Sequence, residues 1–445
     1  MVRDILLNKL DSKEIFIIVN KQPLTFKEFN RLINKFIQNI QRADYSIRRL
    51  AIDFKRKLDV LVAIVGCNRL NIIPIVFPPK NTRVPSVNYG EISDADTLAQ
   101  DKDCIIQLNR DICLDEEMNI RSIQCVLFTS GSEGVPKAVE LTYENIFASA
   151  TQWNKILKFS KNDYYLNVLP LYHIGGLSIF FRSIYYNFIS VVLDYDKQNI
   201  VNQVSDNNID YISVVPKMVH NLIENKDLKI LCKKIKMLII GGDAISTYIY
   251  DELAKNNINT YITYGMTETG SGVSGYFLDQ NDIFQPGFIG YPHNGVKIGL
   301  NDKNIFIKSE SVMSGYVNGS YCNNLFITDD IGELKDGKIY FISRGKDFIV
   351  SGGENISLVS IKNIINNCDG IIDTVVVGCK DDTWGMVPIA LFKGNIEIST
   401  LSIFCKKELP KHMLPKHFIR INKIPYINNK IDYNLIQYYV KKSLA

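Results

Sequence analysis

Five short runs of β-branched, aromatic and leucine residues, Tyr164 to Leu169, Ile189 to Asp194, Tyr211 to Val215, Met237 to Ile240 and Asn259 to Tyr264, recur with amphipathic segments between them. Runs of this length suit strands buried on both faces, and strands spaced by helix-length segments pair in parallel. The same alternation opens the chain. Thr25-Phe26-Lys27-Glu28 is a capping box, and Phe26, Phe29, Leu32, Ile33, Phe36, Ile37 and Ile40 follow at helical spacing. Arg49 to Phe54 is then predicted as a strand, Leu58 to Leu70 as a helix, Ile72 to Phe77 and Gln124 to Thr129 as strands, and Thr142 as the cap of a helix reaching Leu157. The fold class is therefore α/β with largely parallel sheets.

The texture changes near residue 285. Lys297 to Ile349 consists of short strands and turns, with Asp336-Gly337 as a two-residue hairpin signal. Beyond Arg344, Ser357 starts a helix, Thr374 to Val377 and Pro388 to Phe392 are strands, Ser399 caps another helix, Phe418 to Ile421 is a strand, and a helix follows. With 445 residues, 46% of them apolar, the chain needs more than one core. The expected division is a large domain of strand–helix layers with a β-rich subdomain, residues 1–345, and a small α+β domain, residues 346–445.

Lys and Arg total 51 against 47 Asp and Glu, which lacks the basic excess of a nucleic-acid binder. Nine cysteines with no C-x-x-C pair form neither a zinc nor a disulfide framework, so thiols in a reducing compartment are expected. The first residues, with an acid at position 4 and no long apolar run, do not read as a secretory signal, and no run is long enough for a membrane span. These absences lead to the expectation of a cytoplasmic protein, with the stroma of an organelle encoding it as the alternative. Self-association is left open.

Four segments carry chemistry. Leu127 to Lys137 follows a strand and is rich in hydroxyls and glycine: Thr129, Ser130, Gly131, Ser132, Gly134 and Lys137. Such a loop presents backbone N–H groups to a phosphate, although it also reads as a surface turn. It is not a Walker loop, because Pro136 precedes the lysine and Ala138 follows it. Tyr264-Gly265-Met266-Thr267-Glu268-Thr269 places a hydroxyl and a carboxylate at a strand's C-terminal end, suited to a phosphate oxygen and Mg²⁺. Asp330, followed by Arg344, offers acceptors for ribose hydroxyls. Lys430 by itself reads as one solvated lysine among many.

Together and in this order these segments resemble the adenylate-forming superfamily of acyl-CoA synthetases, adenylation domains and luciferase-like enzymes, from about residue 10 onward. The resemblance implies that the 129–137 loop binds ATP phosphates, that Tyr264, Gly265, Thr267 and Glu268 form the family's Tyr-Gly-x-Thr-Glu motif with Glu268 on Mg²⁺, and that Asp330 and Arg344 reach the ribose. It also implies that Gly242 and Asp243 flank the adenine, that Lys430 is the catalytic lysine, and that Lys346 is the hinge of a mobile C-terminal domain. Within the superfamily the compressed stretch Lys297 to Tyr316, the segment Ser351 to Ile356 and Leu169-Pro170-Leu171-Tyr172-His173 are similar to the 2-succinylbenzoate–CoA ligases of menaquinone or phylloquinone synthesis. There His173 would wall the acid pocket, Gly352 and Gly353 would flank the pantetheine path, and Trp384 would pack near the nucleotide end of CoA.

The activity so implied joins an acid to ATP as an acyl-adenylate with release of pyrophosphate, then passes the acyl group to CoA with release of AMP. A stand-alone enzyme loading a carrier protein, another aryl- or fatty-acid ligase and a non-catalytic paralogue are the alternatives. Glu133, Ala138, Asp329, Ser343 and Asn429 depart from the family pattern and bear on rate and acid specificity.

Overall fold

The computed structural model describes residues 9, 11–43, 49–78, 95–96, 119–129, 136–231, 233–279, 283–344, 348–351, 354–381, 383–427 and 430–444. The strand–helix alternation builds two sheets. One has nine strands in the order Tyr291–Pro292, Ser271–Phe277, Thr260–Met266, Met237–Ile240, Tyr211–Val214, Tyr164–Asn167, Ile189–Val192, Ile15–Val19 and Gln22–Thr25. Its middle pairs are parallel, and antiparallel strands close both edges. The other has six strands in the order Gly315–Tyr316, Lys137–Thr142, Ile123–Thr129, Ile73–Val76, Arg49–Ile52 and Ala95–Asp96.

Local signals set the helix starts. Thr25 and Glu28 exchange the two bonds of a capping box, Glu28 N–H donating to Thr25 Oγ1 at 3.2 Å and Thr25 N–H to Glu28 Oε2 at 2.9 Å, ahead of the helix Phe26–Ala43. Thr142 and Asn145 do the same for Tyr143–Leu157. The helices Phe26–Ala43, Lys57–Arg69 and Ile174–Tyr186 pack into one core with residues of both sheets, where Ile33, Leu61, Leu127, Val139, Leu177 and Phe180 are fully buried. The helix Ile174–Tyr186 has almost no solvent face, because ten of its residues from Ile174 to Ile184 are buried.

The β-rich region is a four-stranded sheet ordered Lys297–Asn301, Asn304–Lys308, Leu325–Lys335, Lys338–Arg344. Its hairpin turns at Asp336 and Gly337 with φ of 50° and 72°, the doubly positive geometry that an Asp-Gly pair favours. The C-terminal region has its own core around Ile356, Ile361, Ile365, Ala390, Phe392 and Leu401. Its strands outrun the sequence expectation, spanning Ile371–Asp381 and Gly385–Gly394. Ser399 does not cap a helix. The helix is Ile398–Glu408, preceded by Glu397, so Ser399 lies in its first turn; burial of Leu401 and Cys405 sets this helix's position, and no side-chain cap is made.

Candidate active site

The strands Ile123–Thr129 and Lys137–Thr142 run antiparallel with Thr129 opposite Lys137. The hydroxyl- and glycine-rich loop is thus a hairpin connection, and a strand, where a Walker loop would have a helix, follows it. Ser130, Gly131, Ser132 and Gly134 lie outside the described residues, as do Glu133, Lys346, Gly352 and Gly353. Thr129 and Lys137 both line a cavity of about 380 Å³.

The strand Thr260–Met266 delivers the second motif to the same cavity. A register shift after Tyr264 brings Gly265 against the next strand, where a Cβ would sit 2.1 Å from the Ser271 carbonyl oxygen. Only glycine permits that approach. Thr267–Thr269 then forms a 3₁₀ turn, held by Met266 N–H donating to Thr269 Oγ1 at 3.0 Å. The turn buries Glu268, which is 8% exposed, and Tyr316 donates its hydroxyl to Glu268 Oε1 at 2.9 Å. Burial raises the Glu268 carboxyl above its ordinary range. Lys137 Nζ lies 5.3 Å from the Tyr316 ring centre, so the loop lysine and the motif carboxylate flank one tyrosine.

Asp330 and Arg344 face each other across the β-rich hairpin. Arg344 Nε donates to Asp330 Oδ1 and Tyr264 OH to Asp330 Oδ2, each at 2.8 Å. The second motif and the third therefore meet at the buried Asp330 carboxylate, and Asp330 and Arg344 line the cavity. Gly242 takes a φ of 87° in a turn where Asp243 Oδ1 accepts from Ala244 N–H at 2.8 Å, and both residues line the same cavity. His173 immediately precedes the helix Ile174–Tyr186, makes no cap bond, packs its ring 4.6 Å from that of Tyr172, and also lines the cavity. Lys430 opens the strand Lys430–Ile431, paired with Tyr426–Ile427; Tyr426 lines the cavity. Trp384 is 56% exposed, so it is not a core residue.

Sequence reasoning passed over Arg182. It sits on the helix Ile174–Tyr186, is 3% exposed and lines the cavity. Its Nη2 donates to Ser271 Oγ at 2.7 Å, and its guanidinium lies 4.5 Å from the Trp153 ring centre. Its Nε has no partner, and no carboxylate pairs with Arg182 among the described residues. Burial pushes its pKa down to about 10, which leaves it charged at neutral pH. The available signal was a single cation inside an otherwise uncharged helix. Among the described residues no three His, Cys, Asp or Glu side chains cluster as a metal cage, and no helix is long and apolar enough to cross a membrane.

The chain resembles proteins that share this layout. It is 33% identical over 336 residues to the 2-succinylbenzoate–CoA ligase of Staphylococcus aureus strain MRSA252, an alignment covering 70% of this chain and 66% of that protein. Against the 2-succinylbenzoate–CoA ligase of Staphylococcus epidermidis strain ATCC 35984 it is 27% identical over 449 residues, 94% of this chain and 93% of the relative. The o-succinylbenzoate coenzyme A synthetase of Bacillus subtilis in complex with AMP superposes with a TM-score of 0.82 over 98% of both chains at 22% identity, which establishes a shared fold of a large N-terminal and a smaller C-terminal domain. The sequence profile of the AMP-binding enzymes matches residues 79–317, more than half of the chain and inclusive of both the strands Ile123–Thr129 and Lys137–Thr142 and the Tyr264–Thr269 segment. By that match, and by the cavity on which the same segments converge, the chain belongs to the AMP-binding enzyme family.

Proposed function

We propose that the chain is an AMP-forming acid–CoA ligase whose acid carries a second anionic group, 2-succinylbenzoate being the acid in its relatives' names. The observation that carries this reading is Arg182. A guanidinium that is 3% exposed, without a carboxylate partner among the described residues, is costly to bury unless an anion completes it. Its cavity also takes Phe128, Leu169, Ile174 and Ile239 into its wall, apolar surface fit for an aromatic ring.

The reaction has two displacements. An oxygen of the acid attacks the α-phosphorus of ATP, the bond to the bridging oxygen breaks, and pyrophosphate leaves. The CoA sulfur then attacks the acyl carbon, the bond to AMP breaks, and the thiol proton passes to solvent. Two anions must meet in the first step, so the residues act mainly by positioning and by charge. Thr129, Ser130, Gly131, Ser132, Gly134, Lys137 and Thr267 hold the phosphates. Asp330, fixed by Tyr264 and Arg344, keeps lone pairs free to accept the ribose hydroxyls. Gly242 and Asp243 flank the adenine, with Gly265 giving the motif its close turn. His173 walls the acid pocket, and Lys430 bridges the acid carboxylate and the adenylate oxygens.

Glu268 fits Mg²⁺: a single buried hard ligand on the cavity suits an ion that keeps several waters and takes its other ligands from substrate phosphates. Bound there, Mg²⁺ would neutralise polyphosphate charge. Residues 346–445 are assigned as the moving unit, with Lys346 as hinge and Gly352 and Gly353 beside the pantetheine. A cytoplasmic location accords with the free thiols of Cys67, Cys125, Cys322, Cys368, Cys379 and Cys405, and the product would enter menaquinone or phylloquinone synthesis.

Acid-dependent pyrophosphate release across 2-succinylbenzoate, benzoates and fatty acids tests the reading. CoA and a candidate carrier protein serve as alternative acceptors. The expected result is turnover with 2-succinylbenzoate and CoA, and loss of adenylate formation in Lys430→Ala while supplied acyl-adenylate is still converted to thioester. Absence of acid-dependent pyrophosphate with every acid would overturn it.

A further inference from the structure

The helix Pro216–Glu224 lies beside the cavity, and one of its faces carries Lys217, His220 and Glu224 at spacings of three and four. Both ends of that face meet the C-terminal region. Glu224 Oε1 accepts from Lys393 Nζ at 2.6 Å, and Lys217 Nζ stands 4.8 Å from the Tyr426 ring centre. Tyr426 donates its hydroxyl to Asp373 Oδ2 at 2.9 Å, which fixes the ring that Lys217 covers. Tyr426 belongs to the two-stranded ribbon whose second strand opens with Lys430, in the register Tyr426↔Ile431 and Ile427↔Lys430. The cation therefore stands over the first residue of the ribbon whose second strand begins at Lys430. A third bond, Thr247 Oγ1 to Asn367 Oδ1 at 2.6 Å, lies on the neighbouring helix Thr247–Lys255.

We propose that Lys217 is a positioning residue: with the Glu224–Lys393 pair it docks the Tyr426–Lys430 ribbon at the cavity, and so serves the adenylate-forming half-reaction alone. This rests on the ligase reading above. The physical case is that only the first half-reaction needs the Lys430 ammonium at the cavity. A contact between the ribbon's base and the large domain holds it there without itself touching a reacting atom. A cation over the Tyr426 ring and an ion pair to Lys393 on the strand Gly385–Gly394, set seven residues apart on one helix, resist both translation and rotation of the C-terminal region that carries the ribbon. His220, 5% exposed with no hydrogen-bond partner on either ring nitrogen, lies between Lys217 and Glu224 on the helix, and burial lowers its pKa, which favours the neutral ring.

The experiment measures the two half-reactions separately: pyrophosphate release from acid and ATP, and thioester formation from supplied acyl-adenylate and CoA. Lys217→Met is expected to slow adenylate formation about tenfold and thioester formation by less than about twofold, whereas Lys217→Arg, whose guanidinium also stacks on an aromatic face, retains most of the first rate. Lys393→Ala probes the same dock from the C-terminal side and is expected to give the same split, so the inference stays open to refutation if Lys217→Met does not fold. Equal losses in both half-reactions, or no loss in either, would sink the dock while wild-type turnover leaves the ligase reading standing. A wild type that releases no acid-dependent pyrophosphate sinks both.

Discussion

Arg182→Met separates recognition from stability. In the folded protein Arg182 is 3% exposed and donates to Ser271 Oγ at 2.7 Å. Ser271 Oγ keeps Ser149 Oγ at 3.0 Å and Trp153 Nε1 at 3.1 Å, so it is not orphaned when the arginine goes. Replacing buried ionic groups with well-packed apolar side chains ranges from neutral to a gain of about 1–4 kcal/mol. Against this stand about 1 kcal/mol for the lost hydrogen bond and about 2 kcal/mol for the desolvated contact with Trp153. The terms nearly cancel, and the melting temperature should move by no more than a few degrees. Binding is different. A charge-assisted hydrogen bond contributes about 1.5–3 kcal/mol, so losing a pair of them lowers kcat/KM for 2-succinylbenzoate by roughly two to four orders of magnitude. Benzoate, which has no second carboxylate, should lose less than about threefold, the size of a small packing change. Pyrophosphate release with both acids, alongside thermal melting, provides the check. Equal losses for the two acids would refute the assignment of Arg182 to a second anionic group.

Glu268 gives a pH test. Burial raises its folded pKa, so the group favours the folded state when protonated and disfavours it as pH rises through that pKa. Glu268→Gln should therefore raise the melting temperature of the metal-free protein at neutral pH, measured by calorimetry in chelator, and a lower value would count against the burial argument. In the wild type the acidic limb of adenylate formation should shift to lower pH as Mg²⁺ is raised, because the ion and the proton compete for one carboxylate; a limb indifferent to Mg²⁺ would remove Glu268 from the metal's ligands. Gly265→Ala should cost about 1–3 kcal/mol and abolish adenylate formation, since its Cβ would stand 2.1 Å from the Ser271 carbonyl oxygen. A variant with wild-type melting would show that this turn yields.

Much of this was legible residue by residue, because the signals are local. Period and length predict the strands, Thr25, Thr142 and Ser357 cap their helices, and Asp336-Gly337 makes the expected turn. Ser399 failed as a cap because distant burial set its helix. Arg182 was invisible for another reason. A lone arginine in a chain is ordinary, and it becomes chemical only when a helix packed between sheets carries it to a cavity wall with no carboxylate beside it among the described residues.

Order along the chain was enough to assemble the motif set, and with it the family, since each motif is a local run of residues. What no stretch of sequence could supply is which groups stand face to face across long separations. Tyr264 finds Asp330, Tyr316 finds Glu268, and Lys217 finds Tyr426. Hydrogen bonds and charge contacts act over a few ångströms of space, whereas sequence records only distance along the chain. Packing of the sheets and helices is what converts the one into the other.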